Sequence, residues 1–199
     1  MGKDFSSALR PAIVMTILFA VLLGLVYPLA MTGIGQAIFP AQANGSLVRD
    51  ARGTVIGSTV VGQAFTADRY FQTRPSAAGK GSDGLASSGS NLGPAAQALV
   101  DRVKPDVAKR RAEGVTGPLP ADLATASGSG LDPDLSPAAA LAQAPRIARI
   151  RDLPVGRVRK LVADTTDASI LGDAHVNVLA LNRALDALSG TGAPGARQR

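Results

Sequence analysis

The stretch AIVMTILFAVLLGLVYPLAM, from Ala12 to Met31, decides the fold class of this chain. It lies within a longer span, residues 11–48, that contains no Asp, Glu, Lys, Arg or His. A helix rises about 1.5 Å per residue, so the stretch is about 30 Å long, as thick as the hydrocarbon core of a bilayer. The sequence therefore predicts a transmembrane helix over residues 11–34, preceded by an N-terminal segment at residues 1–10.

Two other interpretations of this stretch are weaker. Residues 41–43 (Ala-Gln-Ala) look like a signal-peptide cleavage site, but the apolar run before them is too long and the site lies well past Val26. A buried helix of a soluble protein would rarely lack a polar face over so many residues. We therefore expect an anchor that is retained.

The cations around the apolar stretch predict its orientation. Lys3 and Arg10 precede it, and the next cation after it is Arg49. Positively charged flanks stay on the cytoplasmic side of a membrane. We therefore expect a cytoplasmic N-terminus and an extracytoplasmic domain at residues 40–188, with membrane lipid around a single span.

Composition narrows the classes of function. The chain of 199 residues has a formal net charge of +6, 4% aromatic residues and no cysteine. Without cysteine there are no disulfides, no thiolate catalysis and no cysteine-ligated metal. The basic clusters would suit nucleic acid, but aromatic side chains for base stacking are nearly absent. We therefore expect no nucleic-acid partner, and a basic surface that is solvated or binds a protein.

The part after the apolar stretch alternates short strand-like and helical patterns. It predicts one α/β (α+β) soluble domain with a small sheet and about four helices. A hairpin is expected at 47–49 and 54–56 around the turn residues 50–53. Further strand candidates lie at 59–65, 70–74 and 123–126. The tail SGTGAPGARQR, residues 189–199, is expected to be disordered.

Prolines punctuate the expected helices. The first helix starts at Pro94 and is predicted to break or kink at Pro105. The second starts at Pro137 and is predicted to be interrupted by Pro145. A third carries valines and a leucine at helical spacing from Val155, and the last one is expected to be capped by Asn177.

Two nearly identical loops precede prolines. The first Ser/Gly loop, SGSNLGP, covers Ser88–Pro94, and the second, SGSGLDP, covers Ser127–Pro133. Neither has the lysine that a phosphate-binding P-loop requires. We interpret both as turns and caps at helix starts, because proline suits the first helical position and small polar residues cap the exposed amides. Anion or nucleotide contact at those amides, and an internal repeat, stay open as alternatives.

No constellation of residues in the sequence supports catalysis. His175 is the only histidine, and Asp173 is the only carboxylate close to it in sequence. We expect a structural or surface histidine, no catalytic residue, no metal site and no firmly bound cofactor. In YFQTRPSA, residues 70–77, the side chains of Tyr70 and Arg74 suggest a binding or locking contact, such as one with another subunit. A solvated arginine at a strand end is the alternative.

The apolar stretch carries small residues at every fourth position. These are Ala12, Thr16, Ala20 and Gly24. In lipid, such a stripe lets a second helix approach closely, so it predicts packing against a partner helix. The alternative is chance, since alanine is abundant in this chain.

Taken together, these stretches resemble one known family, the C subunit of the bacterial high-affinity potassium-transporting P-type ATPase, the Kdp complex. The resemblance runs from about Phe5 to Leu188, and the block around the second Ser/Gly loop is the most specific. One departure is Asp134, where the family leads us to expect His or Asn. The matching stretches are the apolar anchor, VIGSTVVGQAF (55–65), YFQTRPSA (70–77), SGSNLGP (88–94), ATASGSGLDPDLSPAAALAQAPRIA (124–148) and HVNVLALNRALD (175–186).

The resemblance implies a non-catalytic accessory subunit of an ATP-driven K⁺ importer in the inner membrane, needed for assembly. Its partners would be a K⁺-binding, channel-like subunit and a P-type ATPase subunit. This chain contains neither a Thr-Val-Gly-Tyr-Gly-like filter nor an Asp-Lys-Thr-Gly-Thr phosphorylation motif. Without the resemblance, the chain would be an exported, membrane-anchored binding domain unrelated to nucleotide, or an enzymatic one.

The resemblance further implies a catalytic chaperone that raises the ATP affinity of the ATPase subunit. Nucleotide would then contact Ser127, Gly128, Ser129, Gly130 and Gln143. A domain outside the membrane cannot reach cytoplasmic ATP, so this implication conflicts with the predicted topology. ATP would then act only through the ATPase subunit.

Overall fold

The computed structural model describes residues 2–170 and 172–188, with side chains from Ser7 onward. The chain divides after Ser46 into two compact units. The first unit contains the apolar helix, and the second contains small sheets and several helices, which confirms the predicted fold class. The domain limits drawn from the sequence stay predictions, and the expected tail at 189–199 lies outside the described residues.

The first unit is helical over most of its length. It consists of α1 (Gly2–Val21), a π-helical turn (Leu22–Val26), α2 (Tyr27–Ile38) and a short α3 (Pro40–Ala43). The segment Ser7–Ile38 is long and apolar enough to cross a membrane, and its most apolar window is 0% buried within the protein. The sequence prediction of one candidate membrane span is therefore confirmed.

Pro28 accounts for the π-helical turn. Proline has no amide hydrogen, and its ring would collide with the carbonyl four residues earlier, that of Gly24. The turn is widened by one residue, so that the amide of Tyr27 donates to the carbonyl of Leu22. A wider turn accommodates the proline ring without ending the helix.

The second unit begins with the predicted hairpin. Strand β1 (Leu47–Arg49) pairs antiparallel with β2 (Val55–Ser58). Asp50 fixes the turn, because its Oδ1 accepts hydrogen bonds from the amides of Arg52 and Thr54, each 2.9 Å long. Gly53 supplies the positive φ of 81° that closes the turn. The predicted hairpin is confirmed.

A second sheet contains three very short antiparallel strands. Its order is β3–β5–β4, formed by β3 (Asp134–Leu135), β4 (Thr166–Asp167) and β5 (His175–Asn177). The other strand predictions were wrong. Residues Ala121–Leu123 form a 3₁₀ turn, and 59–65 and 70–74 are irregular. In segment 70–74, side chains from the helices, rather than a neighbouring strand, bind the backbone at Phe71 and Gln72.

Four α-helices lie in the described part of the second unit, as predicted. They are α4 (Gln97–Ala112), α5 (Pro137–Arg151), α6 (Val155–Thr165) and α7 (Val178–Leu188). Ser136 caps α5 by accepting from the amide of Ala139 at 3.1 Å. Asn177 caps α7 in the same way through Ala180, also at 3.1 Å, which confirms its predicted role.

Neither internal proline ends its helix, so the predicted break at Pro105 and the predicted interruption at Pro145 were wrong, whereas a kink at Pro105 stays a prediction. Pro105 lies inside α4 and Pro145 inside α5. Both prolines are exposed, as are Asp101 and Leu141, the residues four positions earlier. Water can therefore replace the helical bond that each of these carbonyls loses, and the cost of the proline stays small enough for packing to outweigh it.

The core of the second unit lies between α5, α6 and α7. Each helix contributes an aliphatic stripe, and the stripe residues of α6 alternate with exposed Arg157, Arg159 and Lys160. Phe71, from the irregular segment, is fully buried among them. The most buried stripe residues are Ile147, Val158, Val162, Leu181 and Leu185.

Candidate functional site

The motif YFQTRPSA belongs to a segment, residues 70–78, that contacts α5 and α7. Both helices lie largely in other stretches that carry the resemblance. We call residues 70–78 the bridging segment. Its backbone at Gln72 is bound by the side-chain amide of Gln143 on α5. The Gln72 amide donates to Gln143 Oε1 at 2.9 Å, and Gln143 Nε2 donates to the Gln72 carbonyl at 3.0 Å.

Asn182 on α7 repeats this arrangement one residue earlier. The amide of Phe71 donates to Asn182 Oδ1 at 2.9 Å, and Asn182 Nδ2 donates to the Phe71 carbonyl at 3.0 Å. A side-chain amide offers the same donor and acceptor as a peptide group, so each one replaces a neighbouring strand. Gln143 is 1% exposed and Asn182 is 0% exposed. Two buried amides thus fix the bridging segment to two helices.

The two Ser/Gly loops lie against each other. The backbone amide of Ser88 and the hydroxyl of Ser87 each donate a hydrogen bond of 3.0 Å to the carbonyl of Ser129. A Cβ on Gly89 would come within 2.8 Å of the Gly128 carbonyl oxygen. The two similar loops therefore contact each other directly, and glycine allows their backbones to approach closely.

The interpretation of both loops as helix starts was wrong. Pro94 precedes α4 by a turn, since that helix begins at Gln97, and Pro133 leads into β3. Gly130 in the second loop has a φ of 68°, and a Cβ there would lie 2.6 Å from the Ala78 nitrogen. Both loops therefore serve as a close-packed seam beside the bridging segment.

The residues suggested for nucleotide contact differ in their exposure to solvent. Ser127, Gly130 and Gln143 are buried, whereas Gly128 and Ser129 are exposed. The carbonyl of Gly130 accepts from the Ser76 hydroxyl at 2.6 Å. Both ends of the Gln143 amide are engaged within the fold, and its Oε1 also accepts from Arg146 at 2.8 Å. Nucleotide contact at these residues stays a prediction.

Tyr70 and Arg74, the suggested subunit contacts, both bind within the chain. The Tyr70 hydroxyl donates to Asp186 Oδ2 at 3.0 Å, and Arg74 pairs with Asp132 at 2.9 Å. Burial, followed by the hydrogen bond to Asp186, raises the pKa of the Tyr70 phenol. Asp186 also pairs with Arg151 at 2.6 Å, and that guanidinium lies 4.9 Å from the centre of the Tyr70 ring. These contacts hold the bridging segment in place within the domain.

A second buried charge cluster was missed from the sequence. Glu113, at the end of α4, lies 3.1 Å from Arg110 and 3.5 Å from Arg146. Burial lowers the pKa of the Arg146 guanidinium, and Glu113 acts in the opposite direction. Glu113 is the one carboxylate directly after the basic run of α4, but only the fold brings Arg146 to it.

The surroundings of His175 agree with the structural or surface role expected for it. His175 is half-buried, with its Nδ1 3.2 Å from the Asp173 carbonyl oxygen. Among the residues that the structure describes, no group of three or more His, Cys, Asp or Glu side chains could hold a metal ion.

The small-residue stripe lies on the first unit. Ala12, Thr16, Ala20 and Gly24 are all exposed, and a Cβ on Gly24 would meet nothing within 4 Å. Gly24 is within the π-helical turn, so the stripe ends where the helix widens.

Comparison with known proteins gives consistent matches along the chain. A family model described as the c chain of the K⁺-transporting ATPase matches residues 9–187. The chain is 56% identical over 184 residues to a potassium-transporting ATPase KdpC subunit from Caulobacter vibrioides, covering 91% of this chain and 93% of the relative. Relatives of the same name from Methylobacterium nodulans (51% over 197 residues; 92% and 98% covered) and Acidobacterium capsulatum (54% over 181; 89% and 97%) are also similar.

Proposed function

The chain belongs to the family of the K⁺-transporting ATPase c chain, and on that premise we propose that it is the anchored assembly subunit of this pump. As an accessory, non-catalytic subunit it holds other subunits together through its apolar helix and presents a rigid domain to them. The observation that carries this proposal is the apolar segment Ser7–Ile38, whose most apolar window is 0% buried within the chain. Such a surface requires lipid or partner helices around it.

The length of that helix supports insertion in the inner membrane. Its 32 residues correspond to about 48 Å of helix, longer than the roughly 30 Å of a hydrocarbon core. Lys3 and Arg10 lie before it and no cation follows until Arg49. This asymmetry supports a cytoplasmic N-terminus and an extracytoplasmic second unit.

The small-residue stripe is the surface that we assign to partner helices. Ala12, Thr16, Ala20 and Gly24 would let the helix approach the channel-like subunit or the P-type ATPase subunit closely. A bulkier side chain at Gly24 meets nothing within the chain itself. A substitution there therefore reports on a partner rather than on the stability of this helix.

Stripe substitutions test the assembly role. Ala20→Leu and Gly24→Leu should each reduce co-purification of the other pump subunits several-fold, because bulk on the stripe holds the helices apart. Val14→Phe adds bulk on the opposite face and is the matched control, for which we expect wild-type co-purification. Equal recovery of the complex with all three variants would contradict the assignment of the stripe.

Direct contact with ATP is a different candidate function, and the geometry favours a structural role instead. Gln143 would have to leave two hydrogen bonds to the Gln72 backbone before its amide could reach a nucleotide. Under the proposed topology, cytoplasmic ATP also lies across the membrane from it. We therefore propose that any effect of this subunit on ATP affinity passes through its contacts with the ATPase subunit.

A further inference from the structure

A polar cavity beside the bridging segment has no role in the proposed assembly function. Its volume is about 280 Å³, and it is lined by the bridging segment, the turn that follows it and the C-terminal half of α4. Four cations and one carboxylate line it: Arg74, Lys80, Lys109, Arg110 and Asp106. The cavity thus carries an excess of positive charge.

The neighbouring carboxylates do not balance this charge. Arg74 is paired with Asp132 at 2.9 Å, and Asp106 lies 3.8 Å from Arg102. Glu113 is shared by Arg110 and Arg146, which are 7% and 3% exposed at their side chains, and Lys109 lies 3.8 Å from it. Lys80 forms no ion pair with any residue that the structure describes. One buried carboxylate therefore faces three cations.

The side chain of Gln72 also lines the cavity, and its NH₂ group is an unsatisfied donor. Its Oε1 accepts from Lys109 Nζ at 3.0 Å and from Arg110 Nη1 at 2.8 Å. These two cations fix the orientation of the amide, because a flipped amide would bring its NH₂ group against them. Gln72 is 4% exposed, and its Nε2 has no hydrogen-bond partner within the described residues. A buried donor without a partner is rare and requires an explanation.

We propose that this cavity binds a small oxyanion, a phosphate or a phosphate ester group, between Lys80, Lys109, Arg110 and the Nε2 amide of Gln72. An oxyanion accepts from every one of these donors and compensates the unbalanced charge of the cluster. Arg110 and Gln72 are held by their neighbours before any ligand arrives, which lowers the entropy lost on binding. The exposed Lys80 lies on the turn that follows the bridging segment and lines the same cavity.

Titration calorimetry with inorganic phosphate tests this site. The full chain in a maltoside detergent should bind phosphate saturably at constant ionic strength. The double variant Lys80→Gln, Lys109→Gln should bind it at least about tenfold more weakly, because two charge-assisted hydrogen bonds are lost. Lys104→Gln, on an exposed part of α4 outside the cavity, is the matched control and should bind as the wild type does.

Thermal unfolding in chloride buffer checks that the double variant and Lys104→Gln are folded. We expect both to fold, because all three lysines are exposed. The same titration in lipid nanodiscs identifies the source of the oxyanion. Phosphatidylglycerol in place of phosphatidylcholine should weaken phosphate binding by the wild type if the headgroup competes, and have no effect if the ligand is a soluble phosphate. An absence of saturable phosphate binding, or equal affinity of the wild type and the double variant, would overturn the proposal.

Discussion

At the scale of single residues, Gln143 and Asn182 perform the same task on two different helices. Each side chain replaces the strand that the bridging segment lacks, with two hydrogen bonds to the backbone N–H and C=O of one residue. Removing either one leaves a buried amide and a buried carbonyl without partners. Such groups cost more when unpaired than a hydrogen bond contributes when formed.

Substituting these two amides separates a structural role from nucleotide contact. Gln143→Ala and Asn182→Ala should each lower the free energy of unfolding by about 3 kcal/mol, because two buried polar groups and a void are created. Pumps assembled with either variant should show the wild-type apparent KM for ATP. Asn182 is the control, since only Gln143 is implicated in nucleotide contact by the resemblance. A raised KM with Gln143→Ala alone would contradict a purely structural role of its amide.

Sequence patterns could not reveal this pairing. The sequence showed that Gln143 lies in a helix among alanines, but Gln72 is 71 residues away along the chain. A glutamine amide is equally satisfied by water, by a ligand or by a distant backbone, so its partner depends on the fold alone. Asn177 was predictable because a helix cap depends on residues within one turn.

At the scale of elements, the two Ser/Gly loops form a seam that excludes side chains. Gly130 has a φ of 68°, and a Cβ there would approach Ala78 and Ser88 to 2.6 and 2.7 Å. Gly128, in the same loop, has open space where its Cβ would be. A methyl group should therefore destabilise the protein at Gly130 and have little effect on stability at Gly128.

Alanine at each glycine tests the seam. Gly130→Ala should destabilise the protein by at least about 3 kcal/mol, through backbone strain and a collision with main-chain atoms. Gly128→Ala should change stability by no more than about 0.5 kcal/mol. Chemical denaturation of the full chain in detergent measures both. Equal losses for the two variants would mean that the seam is not close-packed in solution.

The helices were predictable in number but not in extent. Their aliphatic stripes and caps are local, whereas the continuation through Pro105 and Pro145 depends on which side of each helix faces water. The strand predictions failed for the related reason that a β-like composition does not provide a partner strand. In the bridging segment, helix side chains took that place.

At the scale of the molecule, the chain combines an apolar helix that needs external partners with a domain whose polar groups are mostly satisfied internally. The helix was predictable because membrane insertion depends on composition over about twenty residues, which the sequence shows directly. The charge clusters around Glu113 and Asp186 were not, because each joins residues from separate helices or segments. The expected orientation of the helix follows from two cations that precede it, Lys3 and Arg10.

The most direct measurement is labelling of a single cysteine in intact cells with a membrane-impermeant maleimide. The chain contains no native cysteine, and Gly84 is exposed, with nothing within 4 Å of an added Cβ. We expect Gly84→Cys to react in intact cells and Ser6→Cys, directly before the apolar segment Ser7–Ile38, to react only after lysis. Reaction of Gly84→Cys only after lysis would contradict the extracytoplasmic domain and return direct contact with ATP to consideration.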